Sequence, residues 1–229
     1  MARAKIWLSW SSGKDSAWAL HKLRASDEFE VMALLTTINQ DAGRVAMHAV
    51  REGLLEEQAR AAGVPLVKVL IPAQCSNQVY EAAMAAAVAQ ARASGVFHVA
   101  FGDLFLEDIR RYREEKLGAV GMTPIFPIWG LPTAALAREM VSAGLCAYLT
   151  CVDPKKLDRR FAGRLFDHQL LDDLPAAVDH CGENGEFHSF AFAGPMFSHP
   201  IDVKTGQIVE RDGFVFADVL SESAAPSPP

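Results

Sequence analysis

The sequence predicts a parallel, doubly wound α/β sheet followed by a smaller α+β unit. Three observations carry that expectation. Apolar runs of strand length alternate with helix-length stretches from Ala4 to Phe101. The first apolar run stops at a tight turn of small and hydroxyl residues with one lysine. From about Gly118 the texture changes to clustered prolines, then short apolar runs divided by Gly-rich turns.

Ala4-Lys5-Ile6-Trp7-Leu8 reads as the first strand, Ser9–Ser16 as the turn, and Asp15 to Arg24 as the first helix. Val31–Ile38 is apolar on both faces, as a central strand of a covered sheet should be. A polar loop through Asn39-Gln40-Asp41-Ala42-Gly43 leads to a helix from about His48 to Ala62, with Gly63 as C-cap and Pro65 as stop. Leu66–Ile71 is the next strand. Ser76 caps an Ala-rich helix from about Gln78 to Ala93, ended by Gly95, and Val96–Phe101 is the fourth strand. In such sheets ligands lie beyond the carboxyl ends of the strands, where strand order switches. Ser9–Ser16, Thr36–Asp41 and Gly102-Asp103 all fall at such ends.

Pro124, Pro127 and Pro132 surround Ile125-Phe126 and Ile128-Trp129-Gly130, a poor match to a regular central strand. A helix over Thr133–Ser142 ends at Gly144, and Leu145–Val152 is strand-like. After a polar, partly basic segment come Cys181–Phe190 and residues expected to form short antiparallel strands. Ser221–Pro229 is Ser/Ala/Pro-rich and reads as disordered.

At 229 residues and 50% hydrophobic, the chain can bury a real core. No apolar run approaches the roughly 20 residues of a membrane helix, and no signal peptide is evident, which points to the cytoplasm. Cys75, Cys146, Cys151 and Cys181 are widely spaced, which speaks against a disulfide framework or a zinc or iron–sulfur site. A net charge of −6 argues against a general nucleic-acid binder. The basic clusters Arg110–Arg113 and Lys155–Arg160 read first as solvated helix faces.

The turn carries the chemistry. Gly13 lets backbone approach a ligand, the helix N-terminus presents unpaired N–H groups, Ser11, Ser12 and Ser16 add hydroxyls, and Lys14 adds charge. This is a cradle for a phosphate-sized anion. It is not a Walker A loop, because Leu8 stands where that motif needs Gly and Asp15 where it needs Ser or Thr. Ser11-Ser12-Gly13-Lys14-Asp15-Ser16 resembles the S-G-G-K-D-S PP-loop of the ATP pyrophosphatases (adenine nucleotide alpha hydrolases), which split ATP between the α and β phosphates. Ser12 replaces the usual Gly, which is costly only if that position needs φ > 0.

Glu183, Glu186 and His188 lie in a Gly-rich segment that cannot be a stable helix. Glu186 and His188 would share a face if extended. Such a pair could orient a nucleophile, take a proton or help hold Mg²⁺; equally it could be a polar turn with a surface ion pair. Three stretches in this order, Ser11–Ser16, Pro127-Ile128-Trp129-Gly130 and Gly182–Ser189, resemble the diphthine–ammonia ligase family, with its S-G-G-K-D-S, P-L-W and G-E-x-G-E-[YF]-x-[ST] patterns. Gly194-Pro195-Met196-Phe197 is similar to that family's G-P-L-F.

The resemblance implies a Rossmann-like PP-loop ATP-binding domain over residues 1–120, a family-specific substrate domain over 121–218 and a tail over 219–229. It implies an ATP- and Mg²⁺-dependent ligase that adenylates the carboxylate of diphthine on elongation factor two, after which ammonia displaces AMP. On that reading Ser9, Ser11, Ser12, Gly13, Lys14, Asp15, Ser16, Thr36, His48, Gly102 and Asp103 surround ATP. Lys14, Asp15, Glu183, Glu186 and His188 serve catalysis, and Asp15 either orients the loop or serves as the Mg²⁺ ligand. His48 and Asp103 could instead be ordinary helix-start or cap residues. Gly102–Ile109 departs from the family's G-A-I-x-S-x-Y pattern, and the chain lacks the extra C-terminal domains of the long eukaryotic forms, as a short bacterial branch would. Two alternatives stay open: PP-loop chemistry on another substrate, tRNA thiolation included, and an ATP-binding module without turnover. A homo-oligomer is compatible with the sequence.

Overall fold

The computed structural model describes residues 2–40, 44–45, 50–72 and 75–222. The first unit runs β1 (Ala4–Ser9), α1 (Lys14–Ala25), β2 (Phe29–Asn39), β3 (Arg44–Val45), α2 (Glu52–Ala62), β4 (Leu66–Ile71), α3 (Asn77–Ala93), β5 (His98–Ala100), α4 (Glu107–Gly118) and β6 (Thr123–Ile125). Five strands are parallel in the order β4-β2-β1-β5-β6, and β3 turns back antiparallel on the end of β2. Strand order therefore reverses between β1 and β5, which places Ser9–Ser16 and Gly102-Asp103 side by side at the switch point.

Helix propensity and caps account for the helices. Gly63 adopts the left-handed C-cap of α2 (φ 63°), and Ser76 accepts from the Val79 N–H at 3.3 Å to start α3. α2 begins at Glu52; the start expected at about His48 lies outside the described residues. β5 is shorter than its apolar run because Val96 closes the α3 turn through Ala91. β6 is a strand despite Pro124. It sits at the sheet edge, where a missing N–H costs little. α4 buries no side chain and so offers no apolar stripe to read.

The second unit runs α5 (Thr133–Ser142), β7 (Cys146–Val152), a 3₁₀ turn at Arg159–Phe161, α6 (His168–Asp173), β8 (Phe187–Ala193), β9 (Val203–Arg211) and β10 (Phe214–Ser221). Its antiparallel sheet has the order β8-β7-β10-β9. Asp212 and Gly213, both at positive φ, form the hairpin turn between β9 and β10. Residues 223–229 of the expected tail lie outside the described residues, whereas Val219–Ser221 complete β10.

Two apolar clusters hold the layers. Trp7, Leu35, Val69, Val99 and Phe101 pack against Ala87 and Ala91 of α3 on one sheet face. On the other, Ile6, Leu8 and Leu34 join α1 (Ala17, Trp18, Leu20) and α2 (Leu54, Leu55), then continue without a break into Ala147, Leu149, Phe190 and Val219. α1 and α2 thus lie between the two sheets, which is why α1 is buried nearly all round. This shared layer brings β8 to the phosphate-type turn.

Candidate functional site

The turn leaves β1 at Ser9 and enters α1 through Gly13, an extended N-cap without a side-chain cap of its own. The Ala17 N–H is the first in α1 to reach a carbonyl four residues back, Gly13 at 3.1 Å. The N–H groups that open the helix have no carbonyl four residues back to bond, and Asp15 lies in the first turn. The Ser16 hydroxyl donates to the Gly13 carbonyl at 3.0 Å. Ser11 Oγ, 3.1 Å from Ser16 Oγ, accepts from the Gly13 N–H at 3.3 Å. Ser12 has φ +68°, so the position does require the left-handed backbone that Gly adopts freely. Its cost in a serine is about 1–2 kcal/mol. The Ser12 hydroxyl is buried and has no hydrogen-bond partner among the described residues.

The second unit grips this turn from beneath. The Ala191 N–H of β8 donates to the Ser12 carbonyl at 3.0 Å, and the Lys14 N–H donates to Ser189 Oγ at 3.2 Å. Gln58 of α2 is fully buried. Its amide N–H groups donate to the Ser12 carbonyl at 2.9 Å and the Ala191 carbonyl at 2.6 Å, and its Oε1 accepts from Trp10 Nε1 at 2.9 Å. Thr36, at the end of β2, donates to the Trp10 carbonyl at 2.7 Å and so braces the turn.

Lys14 is directed inward. Its ammonium donates to Asp15 Oδ2 at 2.9 Å and to the Cys181 carbonyl, and lies 5.1 and 5.5 Å from the ring centroids of Phe187 and Phe166. Its side chain is 2% exposed. Burial would drain its proton, but Asp15, Cys181 and Glu183 together hold the ammonium above its ordinary range. Burial pushes the Asp15 carboxyl above the usual carboxylate range, against the pull of Lys14. Asp15 Oδ1 is buried without a partner among the described residues.

Residues 179–188 form the opposite wall. Asp179 Oδ1 accepts the N–H groups of Cys181 and Glu183 at 3.0 and 3.1 Å, and Asp179 Oδ2 accepts the Thr133 hydroxyl at 2.5 Å. Gly182 is required here: a Cβ would stand 2.9 Å from the Phe187 carbonyl oxygen and 3.0 Å from its ring, at φ +72°. Glu186 is buried, with Oε1 accepting the Asp179 N–H and the Asn184 side-chain amide, both at 3.1 Å. Its Oε2 has no partner among the described residues. His188 lies on β8 opposite Cys151. Glu183 Oε1 accepts the Leu104 N–H at 2.7 Å, spanning from this wall to the end of β5. Burial, with Asp15 and Asp103 nearby, lifts the Glu183 carboxyl to about 7 in spite of that N–H. Burial, then Lys14, lowers His188 to about 4.

At the switch point Gly102 crosses the start of α1. A Cβ there would meet three backbone atoms, Asp15 C at 2.8 Å, Asp15 O at 2.9 Å and Ser16 N at 2.9 Å. Asp103 is held in a two-pronged pair by Arg113 (2.5 and 3.0 Å), whose guanidinium lies 4.1 Å from the Phe101 centroid. The Pro127–Gly130 segment packs beside them: Ile128 is buried, and Arg110 stacks between Phe126 and Trp129 at 5.0 and 4.8 Å.

The structure thus gathers Ser9, Ser11, Ser12, Gly13, Lys14, Asp15, Ser16, Gly102, Asp103 and Glu183 around the switch point, with Thr36 bracing the turn from within. Glu186 and His188 are brought in on the β8 side, whereas His48 falls outside the described residues. Sequence reasoning missed Gln58, Ser189 as a ligand of the turn, Asp179 and Arg113. Gln58 did leave a signal, a polar residue four after Leu54 on the apolar face of α2.

Strand order, the loop at the switch point and the flanking helices define a Rossmann-like α/β protein of the PP-loop class carrying an antiparallel second unit. Family models named "Diphthamide synthase N-terminal domain" and "Diphthamide synthase C-terminal domain" match residues 4–124 and 132–219. The chain belongs to the diphthamide synthase family. It is 32% identical over 122 residues to a Danio rerio protein named diphthine--ammonia ligase, covering 50% of this chain and 47% of that protein. Proteins of the same name from Homo sapiens and Rattus norvegicus are 29% and 28% identical over 120 residues, covering 50% of this chain and 45% of each. The matched region spans about half the length of these relatives. Among the described residues no helix is long and apolar enough to cross a membrane.

Proposed function

We propose that the chain is an ATP-dependent, amide-forming ligase similar to diphthine–ammonia ligase: a substrate carboxylate attacks the α-phosphate of ATP, pyrophosphate leaves, and ammonia displaces AMP. The observation that supports this reading is the attachment of the phosphate-type turn to β8 through Ser189 and Ala191, which joins the turn to the strand that carries His188. A binding module without turnover has no need of the Glu/His wall.

In this reading the N–H groups of Gly13, Asp15 and Ser16 and the hydroxyls of Ser11 and Ser16 hold the departing pyrophosphate. Lys14 acts from beneath, its ammonium paired with Asp15 and opposing the effect of burial on that carboxyl. Glu183, poised near neutrality, takes the proton that the nitrogen sheds once ammonia has attacked the acyl carbon. Glu186 shapes the turn that presents Glu183. Glycine at 102 leaves room for β5 to cross the loop. Among the described residues no cluster of three or more His, Cys, Asp or Glu could hold a metal by itself. Asp15 Oδ1, buried and unpartnered, suits one position on a Mg²⁺ carried chiefly by nucleotide phosphates. Such an ion would neutralise phosphate charge. The protein partner on this reading is diphthine-bearing elongation factor two, in a host that makes diphthamide.

The test follows labelled ATP with Mg²⁺ and ammonium, with and without diphthine-bearing elongation factor. AMP and pyrophosphate that depend on the factor, together with amide formation, support the proposal. AMP and pyrophosphate indifferent to the factor keep the α-phosphate chemistry and transfer it to another carboxylate. ADP and phosphate as the main products overturn it.

A further inference from the structure

We infer that Gln58 is a positioning residue that sets the phosphate-binding form of the turn and ties it to the second unit. The amide's orientation is not arbitrary. Trp10 Nε1 can only donate, and the Ser12 and Ala191 carbonyls can only accept, so Oε1 must face the indole and Nε2 the two carbonyls. A flipped amide would lose all three bonds.

The consequence lies in one peptide plane. In a trans peptide the carbonyl of one residue and the N–H of the next point in opposite directions. The Ser12 carbonyl is drawn inward by two donors, Gln58 Nε2 and the Ala191 N–H. The Gly13 N–H is therefore turned the other way, toward the side of the turn where Ser11 Oγ takes it at the long distance of 3.3 Å. That weak contact is one an anion can replace. The same two donors hold Ser12 at φ +68°, a conformation a serine leaves readily when released. Gln58 also bonds the Ala191 carbonyl, so the strand carrying His188 and Ser189 is fixed to the turn by the same side chain. No other described polar side chain of α2 is fully buried.

The inference rests on the phosphate-binding role proposed above, and the test separates the two. Affinities for ATP, pyrophosphate and AMP are measured by calorimetry on the full chain, on Gln58→Met, on Ser12→Gly and on the double variant, with thermal midpoints alongside. Gln58→Met should lose about tenfold or more in affinity for ATP and pyrophosphate, about 1.4 kcal/mol per tenfold, while AMP stays within about twofold. Because glycine holds the left-handed form unaided, the loss should be several-fold smaller in the Ser12→Gly background. Equal losses in both backgrounds, or equal losses for ATP and AMP, would overturn the inference. So would a lower midpoint with every affinity unchanged. Should Gln58→Met alone fail to fold, the double variant against Ser12→Gly, and Gln58→Glu, which keeps the Trp10 bond but sets a carboxylate oxygen against two carbonyls, decide the matter by the same ratio of ATP to AMP. An unmodified chain that binds neither ATP nor pyrophosphate refutes the phosphate-binding reading itself, a result no Gln58 variant can imitate.

Discussion

Gly102→Ala should damage nucleotide binding more than its single methyl group suggests. The added Cβ would lie 2.8 Å from Asp15 C, and ordinary contact begins at 3.4 Å, so a separation of 0.6 Å has to be found. The three atoms it meets are all backbone, at the start of α1, and no flexible side chain can step aside. Overpacking of this kind costs about 1–3 kcal/mol. The structure can relieve it only by lifting the end of β5 away from the turn or by pushing α1 inward. The inward path is closed by the Ser189, Ala191 and Gln58 bonds, so the strain falls on the anion cradle. With about 1.4 kcal/mol per tenfold in affinity, strain of this size carried by the cradle should cost about tenfold in ATP affinity. Calorimetry with ATP and a thermal melt give both quantities. Gly53→Ala, in α2 with nothing within 4 Å of its Cβ, is the matched control and should gain about 0.4–1 kcal/mol of stability. A Gly102→Ala protein with unchanged affinity refutes the argument, because the crossing of β5 over the turn would then have slack. A lowered melt with unchanged affinity refutes the part that places the strain on the cradle.

The remaining predictions concern the opposite wall and the charges beneath the turn. Glu183→Gln should leave ATP affinity within about twofold and lower turnover by about a hundredfold or more, as loss of a general acid–base group does; steady-state rates beside calorimetry read this, and full activity would remove Glu183 from the chemistry. Glu183 and His188 should also oppose each other in stability against pH. Glu183, raised to about 7, binds a proton in the folded chain that the unfolded chain has shed above 4.5, so its contribution is complete below 4.5 and lost as pH rises through 7. His188, lowered to about 4, stays neutral where the unfolded imidazole charges below 6.5, so its contribution is complete above 6.5 and lost as pH falls through 4. Urea titrations from pH 4.5 to 7 should therefore show a steeper fall with pH in His188→Gln than in the unmodified chain. A parallel pair of curves would show that His188 is not buried neutral.

How much of this was legible depends on whether the cause was local. Gly63, Ser76 and the helix over Thr133–Ser142 declare themselves within a few residues, because caps and 3.6-residue periods are properties of adjacent chain. α4 does not: with no buried side chain it has no period to read, and it stands by its ion pairs and by the pairing of Arg113 with Asp103. Pro124 masked β6 because nothing in the sequence says which strand lies at an edge. The candidate site shows the same division within one motif. Small residues at Ser11–Ser16 announce a cradle, but the direction of Lys14 was not readable, since its partners Cys181 and Ser189 lie 167 and 175 residues away.

Ser12 makes the point most sharply. Read alone, a serine in place of glycine looks like a defect in the loop, and at φ +68° it does carry strain. That strain is tolerable because its carbonyl meets two donors, one from α2 and one from β8. Neither donor alone fixes the peptide plane: the Ala191 N–H can follow the turn if β8 shifts, and the Gln58 amide can follow it if Trp10 shifts. Together, and joined to each other through the Ala191 carbonyl, they close a ring of bonds that cannot open at one point without breaking at another. The phosphate-type turn is therefore not a property of Ser9–Ser16. It is a property of that segment with α2 and β8 in place, and the second unit is part of the proposed anion site rather than an appendage to it.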